Sequence, residues 1–207
     1  MINVEYRDHS GDDLVVVNSA RVSFNKESSS LSEKDKRLIG YLAEHKHKSP
    51  FGHCFATFYV EAPIFVARQL VKHKFLRWNE VSKRYVDDPP EFFLPDFWRG
   101  RAENKKQGSA GAMDYDPEYL EDFYDRCEAT YNRLLADGVA PEQARMVLPQ
   151  STMTSWWWSG SLDAWADMCK LRLGPDSQVE TREVAIQIAE QMFDLFPVSW
   201  KALLTGE

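Results

Sequence analysis

Apolar and polar positions alternate with period two in three short stretches, and elsewhere recur every three or four residues. The short period marks a half-buried strand and the long one an amphipathic helix. Residues 2–6 predict a short first strand. In residues 55–60, Phe55, Thr57 and Tyr59 alternate with Ala56, Phe58 and Val60, which predicts a strand with two substantial faces. Residues 151–158 predict another. Its Trp156, Trp157 and Trp158 cannot all face one core, so at least one meets another layer or another subunit.

The helical stretches are bounded by capping residues. Residues 12–24 predict a helix through Leu14, Val15, Val16 and Val17, then a turn. Ser32 and Asp35 have the spacing of a capping box, opening a helix to about His45 with Leu38, Ile39 and Leu42 inward. Pro63 opens the next helix, on which Gln69, Lys72 and His73 share a face at i, i+3 and i+4, while Lys74 points elsewhere. Residues 79–85 read as irregular chain, 86–90 as a turn and 91–95 as a short extended piece. Residues 96–115, with Gly100, Asn104, Gly108, Ser109 and Gly111, predict a long surface loop. Asp116 and Pro117 are expected as N-cap and first position of a helix ended by Gly138. Along it recur Tyr119, Phe123, Cys127, Thr130, Tyr131 and Leu134, a stripe expected to be mostly core. Pro141 starts a short helix containing Arg145, and Ser161 caps one that reaches Leu171 and delivers Arg172 near its end. Residues 179–193 form a long helix with Val184, Ile188, Met192 and Phe193 inward. Pro197 stops it, and a last short helix carries Trp200, Leu203 and Leu204.

A chain of 207 residues, 43% hydrophobic and rich in aromatics, is long enough for a sizeable core, and residues 1–207 read as one domain. Its net charge of −7 argues against broad nucleic-acid binding. No apolar run approaches the roughly 20 residues that span a bilayer, and the N-terminus lacks a secretory pattern, so a cytoplasmic protein is expected. The three cysteines, at wide spacing, form neither a disulfide framework nor a zinc pattern. They read as buried, inert thiols in a reducing compartment.

Within this acidic chain, residues 69–85 gather five cationic side chains, a histidine, an acid, an amide and a hydroxyl. That points to a small anionic ligand, although cations also gather at helix C-termini for purely structural reasons. His45, His47 and His53 could suggest a metal. No acidic or thiol ligand accompanies them, and Lys46 and Lys48 would repel a cation, so no metal is expected.

These residues resemble the signature of the flavin-dependent thymidylate synthases, R-H-R, seven residues, then S, continuing as N-E-x-S-x-R-Y. Here the run is Lys72-His73-Lys74, seven residues and Ser82, with Asn79, Glu80, Arg84 and Tyr85 in place. The likeness extends from Ala20-Arg21-Val22-Ser23-Phe24 to about Phe193 and includes an H-x-x-P-F segment with His47 and Ser49, an A-R-x-V-L-P segment with Arg145, and Arg172. The resemblance implies an α+β fold, a central, largely antiparallel sheet flanked by helices, with active sites between subunits of a homotetramer. It implies reductive methylation of deoxyuridine monophosphate without an enzyme nucleophile. Methylenetetrahydrofolate is the carbon donor, flavin adenine dinucleotide (FAD) the hydride carrier and NADPH the reductant. None of the cysteines follows a proline, as the nucleophile of the folate-only synthases does.

Carried over residue by residue, the resemblance makes Arg172 the cation that stabilises charge on the pyrimidine. Ser82, the Lys83 backbone and Arg84 become the phosphate cradle, and Gln69, Lys72, Glu80 and Arg145 further nucleotide contacts. His73, Lys74, Glu80 and Lys72 would face the flavin or orient its neighbours, Ser49 and Ser161 would belong to the cofactor side, and His47 and Tyr85 would line the folate side. Three features depart from the family. Gly52 stands where an acid is common in relatives. Lysines replace both signature arginines, losing the planar fork. Asp163 and Asp167 stand beside Ser161 where relatives carry a cation and a neutral group, which weakens an anion site unless a lysine such as Lys170 compensates. Three alternatives stay open: hydroxymethylation of a pyrimidine nucleotide, a single-strand-binding protein stacking bases on Phe75 and Trp78, and an inactive assembly subunit.

Overall fold

The computed structural model describes residues 1–86, 88–103 and 108–206. Its centre is one antiparallel sheet in the order β1 (Asn3–Ser10), β2 (Phe55–Pro63), β4 (Met153–Ser161) and β3 (Arg77–Glu80). Alternation along β2 and β4 sends Ala56, Phe58, Val60, Trp156 and Trp158 to one face, where all are buried. Against that face packs α6 (Leu162–Arg172): the Trp165 ring lies 5.1 Å from Phe58 and 4.9 Å from Trp158, and its Nε1 donates to the Ala56 carbonyl at 3.1 Å. The hydrogen bond satisfies the polar end of a fully buried indole.

Further helices accompany the sheet and α6. They are α1 (Asp13–Arg21), α2 (Glu33–Glu44), α3 (Ile64–Leu70), α4 (Tyr119–Ala136), α5 (Pro141–Ala144), α7 (Val179–Leu195) and α8 (Pro197–Thr205). The capping box of α2 forms as expected, and Asp35, fully buried, also pairs with Arg21. Asp13 accepts from the backbone N–H groups of Val198 and Ser199 at 3.0 and 2.8 Å, which pins the first turn of α8 to α1. All three cysteines are free and buried; burial, then Asp12 and Asp13, push the Cys54 thiol up to about 12, and burial raises Cys169.

The outer face of the sheet carries Tyr59, Ser155 and Trp157. Trp157 is 50% exposed, with the Arg7 guanidinium 4.8 Å from the Tyr59 ring centre and 5.8 Å from that of Trp157. Trp157 is therefore the tryptophan turned away from the core.

Several expectations are corrected. The first strand runs to Ser10 because β2 pairs with it beyond the apolar alternation, around an irregularity between Tyr6 and Asp8. Asn79 and Glu80, expected as irregular chain, instead end β3, since β4 offers an edge and Trp78 stacks on Trp156 at 4.2 Å. Gly160 of β4 allows that close approach: a Cβ there would meet Leu76 Cδ2 at 2.3 Å. The strand expected at 151–158 runs from Met153 to Ser161.

Helix α3 ends at Leu70, with Pro63 as its N-cap, so Lys72 and His73 lie in the turn that follows. Helix α4 starts at Tyr119 rather than at Pro117, with no side-chain cap, and ends at Ala136, with Gly138 just beyond it in the left-handed region (φ 84°). It packs at the periphery, so Tyr119, Phe123 and Thr130 are exposed and only Cys127 and Tyr131 of its stripe are buried. Phe193, expected inward, is 51% exposed, turned about 100° around α7 from the buried Met192. Ser161 precedes α6 but makes no capping bond. Residues 96–115 contain an antiparallel bridge, Arg99 to Ala112; Asn104, and Asp87 of the turn expected at 86–90, lie outside the described residues.

Candidate active site

Arg172 is the last residue of α6, where a cation meets the negative end of the helix dipole. Its Nη2 donates to the carbonyl of Gln69 at 3.1 Å, one of the carbonyls left open at the end of α3. Its Nε donates to Nε2 of His73 at 3.1 Å. A guanidinium only donates, so His73 Nε2 accepts and the ring is neutral with its proton on Nδ1. Burial, then the Arg172 charge, hold the imidazole down at about 4, against an opposing pull from Asp167. Burial also lowers Arg172 from its ordinary value, though a guanidinium stays charged at neutral pH. Nη1 of Arg172 meets no acceptor among the described residues. The face expected for Gln69, Lys72 and His73 is not kept: the His73 ring and the Gln69 backbone carbonyl meet Arg172, whereas the Gln69 side chain turns to Gln178. Lys72 and Lys74 are exposed.

A second group of the expected residues adjoins this one. Lys48 forms an ion pair with Asp167 on α6. Ser161 Oγ donates to Asp163 Oδ1 at 2.5 Å, and a Cβ on Gly52 would lie 4.0 Å from that same oxygen. The segment carrying exposed His47 and Ser49 is thus drawn onto α6, beside the turn of Lys72, His73 and Lys74. Lys48, and not the Lys170 that stands nearby in sequence, is the lysine that pairs with Asp167. The sequence held the clue, since a lysine in the H-x-x-P-F segment accompanies acids on α6. With Asp167 neutralised, the donors here remain mainly cations, imidazoles and hydroxyls, a set that fits the diphosphate of a dinucleotide.

The other expected nucleotide contacts lie elsewhere on the same chain. Glu80, Lys83 and Arg145 line a groove of about 730 Å³ between the end of β3 and β4. Glu80 accepts from Thr154 Oγ1 at 2.9 Å and from Trp78 Nε1 at 3.1 Å. Lys83 Nζ donates to the Asp88 carbonyl at 2.5 Å, and Arg145 Nε to that of Glu142 at 3.3 Å. Arg84 Nε donates to Ser82 Oγ at 3.2 Å, and its guanidinium stands 4.9 Å over the Tyr85 ring. Both Arg84 and Tyr85 are exposed. Arg172 lines neither this groove nor the adjoining one formed by Arg68, Val71 and Arg145. The expected cations therefore fall into two groups on different faces.

The arginine that ends α6 meets a neutral imidazole in the turn after α3, with the exposed Lys72 and Lys74 on either side of that imidazole in the chain, a set suited to an anionic ligand. Residues 5–198 match the family described as thymidylate synthase complementing protein, Thy1. The flavin-dependent thymidylate synthase of Thermus thermophilus is 40% identical over 198 residues, 94% of this chain and 73% of that one. That of Thermosipho melanesiensis is 39% identical over 199 residues, 94% of this chain and 86% of its own. The crystal structure of the UMP/dUMP methylase PolB from Streptomyces cacaoi, bound with 5-Br dUMP, superposes with a TM-score of 0.88 at 33% identity, covering 98% of this chain and 94% of that one. The chain belongs to the flavin-dependent thymidylate synthase family and is a flavin-dependent methyltransferase with the α+β fold of that family.

Proposed function

We propose that this chain methylates deoxyuridine monophosphate at C5 to give thymidylate, with methylenetetrahydrofolate and NADPH as co-substrates. The observation that carries the reading is Arg172: a guanidinium fixed by the Gln69 carbonyl and by His73, with Nη1 left for a ligand. For C5 to act as a nucleophile, negative charge must build on the pyrimidine ring, and a preorganised cation at its edge stabilises it. Ser82, Lys83, Arg84 and Arg145 hold the nucleotide phosphate. Gln69, Lys72 and Glu80 contact the nucleotide, and Tyr85 and His47 line the folate side. Ser49, Lys72, Lys74, His73, Glu80, Ser161, Asp163 and Asp167 hold or orient FAD, which when bound supplies the hydride that completes the methyl group.

The division of these residues between two faces supports active sites assembled between subunits of a homotetramer, as does the half-exposed Trp157 on the open sheet face. A single domain over residues 1–207 is supported by one core reaching from Ile2 to Leu203. No described helix is long and apolar enough to cross a membrane, and with the net charge of −7 this accords with a cytoplasmic enzyme that binds no nucleic acid. Phe75 and Trp78 do not form a stacking platform, because Trp78 is stacked on Trp156 within the sheet.

The test is Arg172→Ala. Removing a donor that acts on transition-state charge lowers turnover by about 10²–10³. The variant should keep its fold by circular dichroism but lose product formation, followed by mass from deoxyuridine monophosphate. Near-normal turnover would remove Arg172 from the chemistry, and a product heavier than thymidylate by one oxygen would indicate hydroxymethylation.

A further inference from the structure

The hydrogen-bond chain that fixes Arg172 continues beyond Gln69. Nε2 of Gln69 donates to Oε1 of Gln178, the N-cap residue of α7. Gln178 Nε2 donates to Glu180 Oε2 at 2.9 Å. Glu180 is 6% exposed, and its other oxygen accepts from Arg99 Nη2 at 2.6 Å. Arg99 in turn donates from Nε to Ser109 Oγ at 2.9 Å. Gln178, Glu180, Arg99 and Ser109 wall a pocket of about 360 Å³ together with Phe65 and Phe93.

The direction of every bond follows from one end. Arg99 has donors only, so it meets Glu180 as a carboxylate, and a carboxylate only accepts. The Gln178 atom facing Glu180 is therefore its NH2 group. That turns Gln178 Oε1 toward Gln69, where it can be met only by the NH2 of Gln69. Oε1 of Gln69 is left over and meets no donor among the described residues. A glutamine amide can face either way, donor or acceptor outward, unless its partners break the tie. Here the tie is broken two residues away.

We propose that Glu180, held by Arg99, sets the hydrogen-bond polarity of Gln69 through Gln178, so that the site selects a pyrimidine nucleotide by a group that donates to Gln69 Oε1. Two groups of such a nucleotide share that chemistry, the imide N–H of uracil and the hydroxyl of the sugar. The proposal rests on the reading of Gln69 as a nucleotide contact. Glu180, Gln178 and Arg99 act through Gln69 and are positioning residues that determine specificity.

The experiment is calorimetric titration of the whole protein with three probes. The first is deoxyuridine monophosphate. The second is deoxycytidine monophosphate, whose ring N3 accepts where that of uracil donates. The third is 3′-fluoro-2′,3′-dideoxyuridine monophosphate, whose fluorine replaces the hydroxyl and cannot donate. The wild type should bind one of the last two about tenfold or more weakly than the first, because a site's hydrogen-bonding group is then left facing another acceptor. Weak binding of the cytosine probe assigns the imide, and weak binding of the fluoro probe assigns the hydroxyl. In Glu180→Gln, Arg99 still only donates, so it takes the new amide oxygen and leaves the new NH2 facing Gln178; the chain of bonds reverses, Gln69 presents its NH2, and that ratio should fall to about threefold or less. A lost contact that was merely structural would weaken all probes alike and leave the ratio unchanged.

An unchanged ratio in Glu180→Gln overturns the proposal, as does a wild type that binds all three probes equally. A wild type that binds no deoxyuridine monophosphate overturns instead the assignment of Gln69 to a nucleotide site. Should Glu180→Gln fail to fold in a thermal melt, the double variant Arg99→Met with Glu180→Gln removes the unpaired cation and is read in the same way. The wild-type comparison stands without either variant.

Discussion

Protonation of His73 should release Arg172 and cost the fold stability. The ring accepts from Arg172 Nε through Nε2, so a proton on that nitrogen removes the acceptor and sets two cations in contact. Burial and the Arg172 charge hold this imidazole at about 4, below its ordinary 6.5. Between those values the unfolded chain binds a proton that the folded chain does not. Stability is therefore present in full above 6.5 and is lost as the pH falls through about 4. That interval corresponds to at most about 3 kcal/mol, and partial exposure of the ring screens it to about 1 kcal/mol.

The assay is urea unfolding, followed by tryptophan fluorescence between about pH 7.5 and about pH 4.5, on the wild type and on His73→Gln. The glutamine carbonyl can accept from Arg172 and does not titrate. Other groups titrate equally in both proteins and cancel in the difference. Over that range the wild type should lose about 1 kcal/mol more than the variant. Parallel stability curves would show that His73 is protonated as readily in the folded chain as in the unfolded one, and the account of the clamp would fail.

Two further outcomes are expected. Arg84→Ala should weaken binding of deoxyuridine monophosphate by about 10- to 100-fold, since a charge-assisted contact is worth about 1.5–3 kcal/mol, and leave deoxyuridine binding nearly unchanged. Equal losses for nucleotide and nucleoside in calorimetry would take Arg84 off the phosphate. Flavin should bind reversibly, and Lys74→Arg together with Asp163→Arg should tighten it in fluorescence titrations, more at low salt than at high. An unchanged flavin affinity in that double variant would place the cofactor contacts elsewhere.

Much of the fold was legible because burial in this chain is sharply periodic. The strand at Phe55–Pro63, the Ser32 capping box and the inward residues Val184, Ile188 and Met192 all follow from local pattern and appear in the structure. The misread elements depend on partners distant in sequence. Arg77–Glu80 has no apolar alternation of its own and becomes a strand because β4 presents a free edge and Trp156 a surface for Trp78. Tyr119 and Phe123 have helical spacing, but spacing does not reveal that α4 packs at the periphery.

The site follows the same rule. The family motif put Arg172 and Gln69 at the nucleotide and His73 at the flavin, but the bond from Arg172 to His73 was not read from it. Asp167 was legible as a departure and Lys48 only as a neighbour of the histidines; their pairing was not legible, since they are distant in the chain and meet only when the residues before β2 lie on α6. The network from Gln178 to Arg99 carried no motif read from the sequence. Its parts come from the start of α7 and from residues 96–115, which read as an ordinary surface loop.

The expected site residues differ in how firmly the fold holds them, and the difference matches the work assigned to each. Arg172 ends a helix whose Leu162, Ala164, Trp165, Ala166, Met168 and Cys169 are buried, so its backbone moves only if the core does. A cation that must meet charge appearing on a ring contributes most when it needs no reorganisation at that moment, and a buried helix supplies that rigidity. Lys72, Lys74, Arg84 and Tyr85 stand exposed on turns. Such residues lose side-chain entropy when they close on a ligand, and charge-assisted contacts to phosphate are strong enough to offset that loss. Nucleotide and flavin should therefore protect the backbone amides of residues 72–74 and 82–85 strongly in hydrogen exchange, and those of α6 hardly at all, because α6 is already held by the core. Ligand-induced protection concentrated in α6 would mean that the arginine is set in place by its substrate and not by the fold.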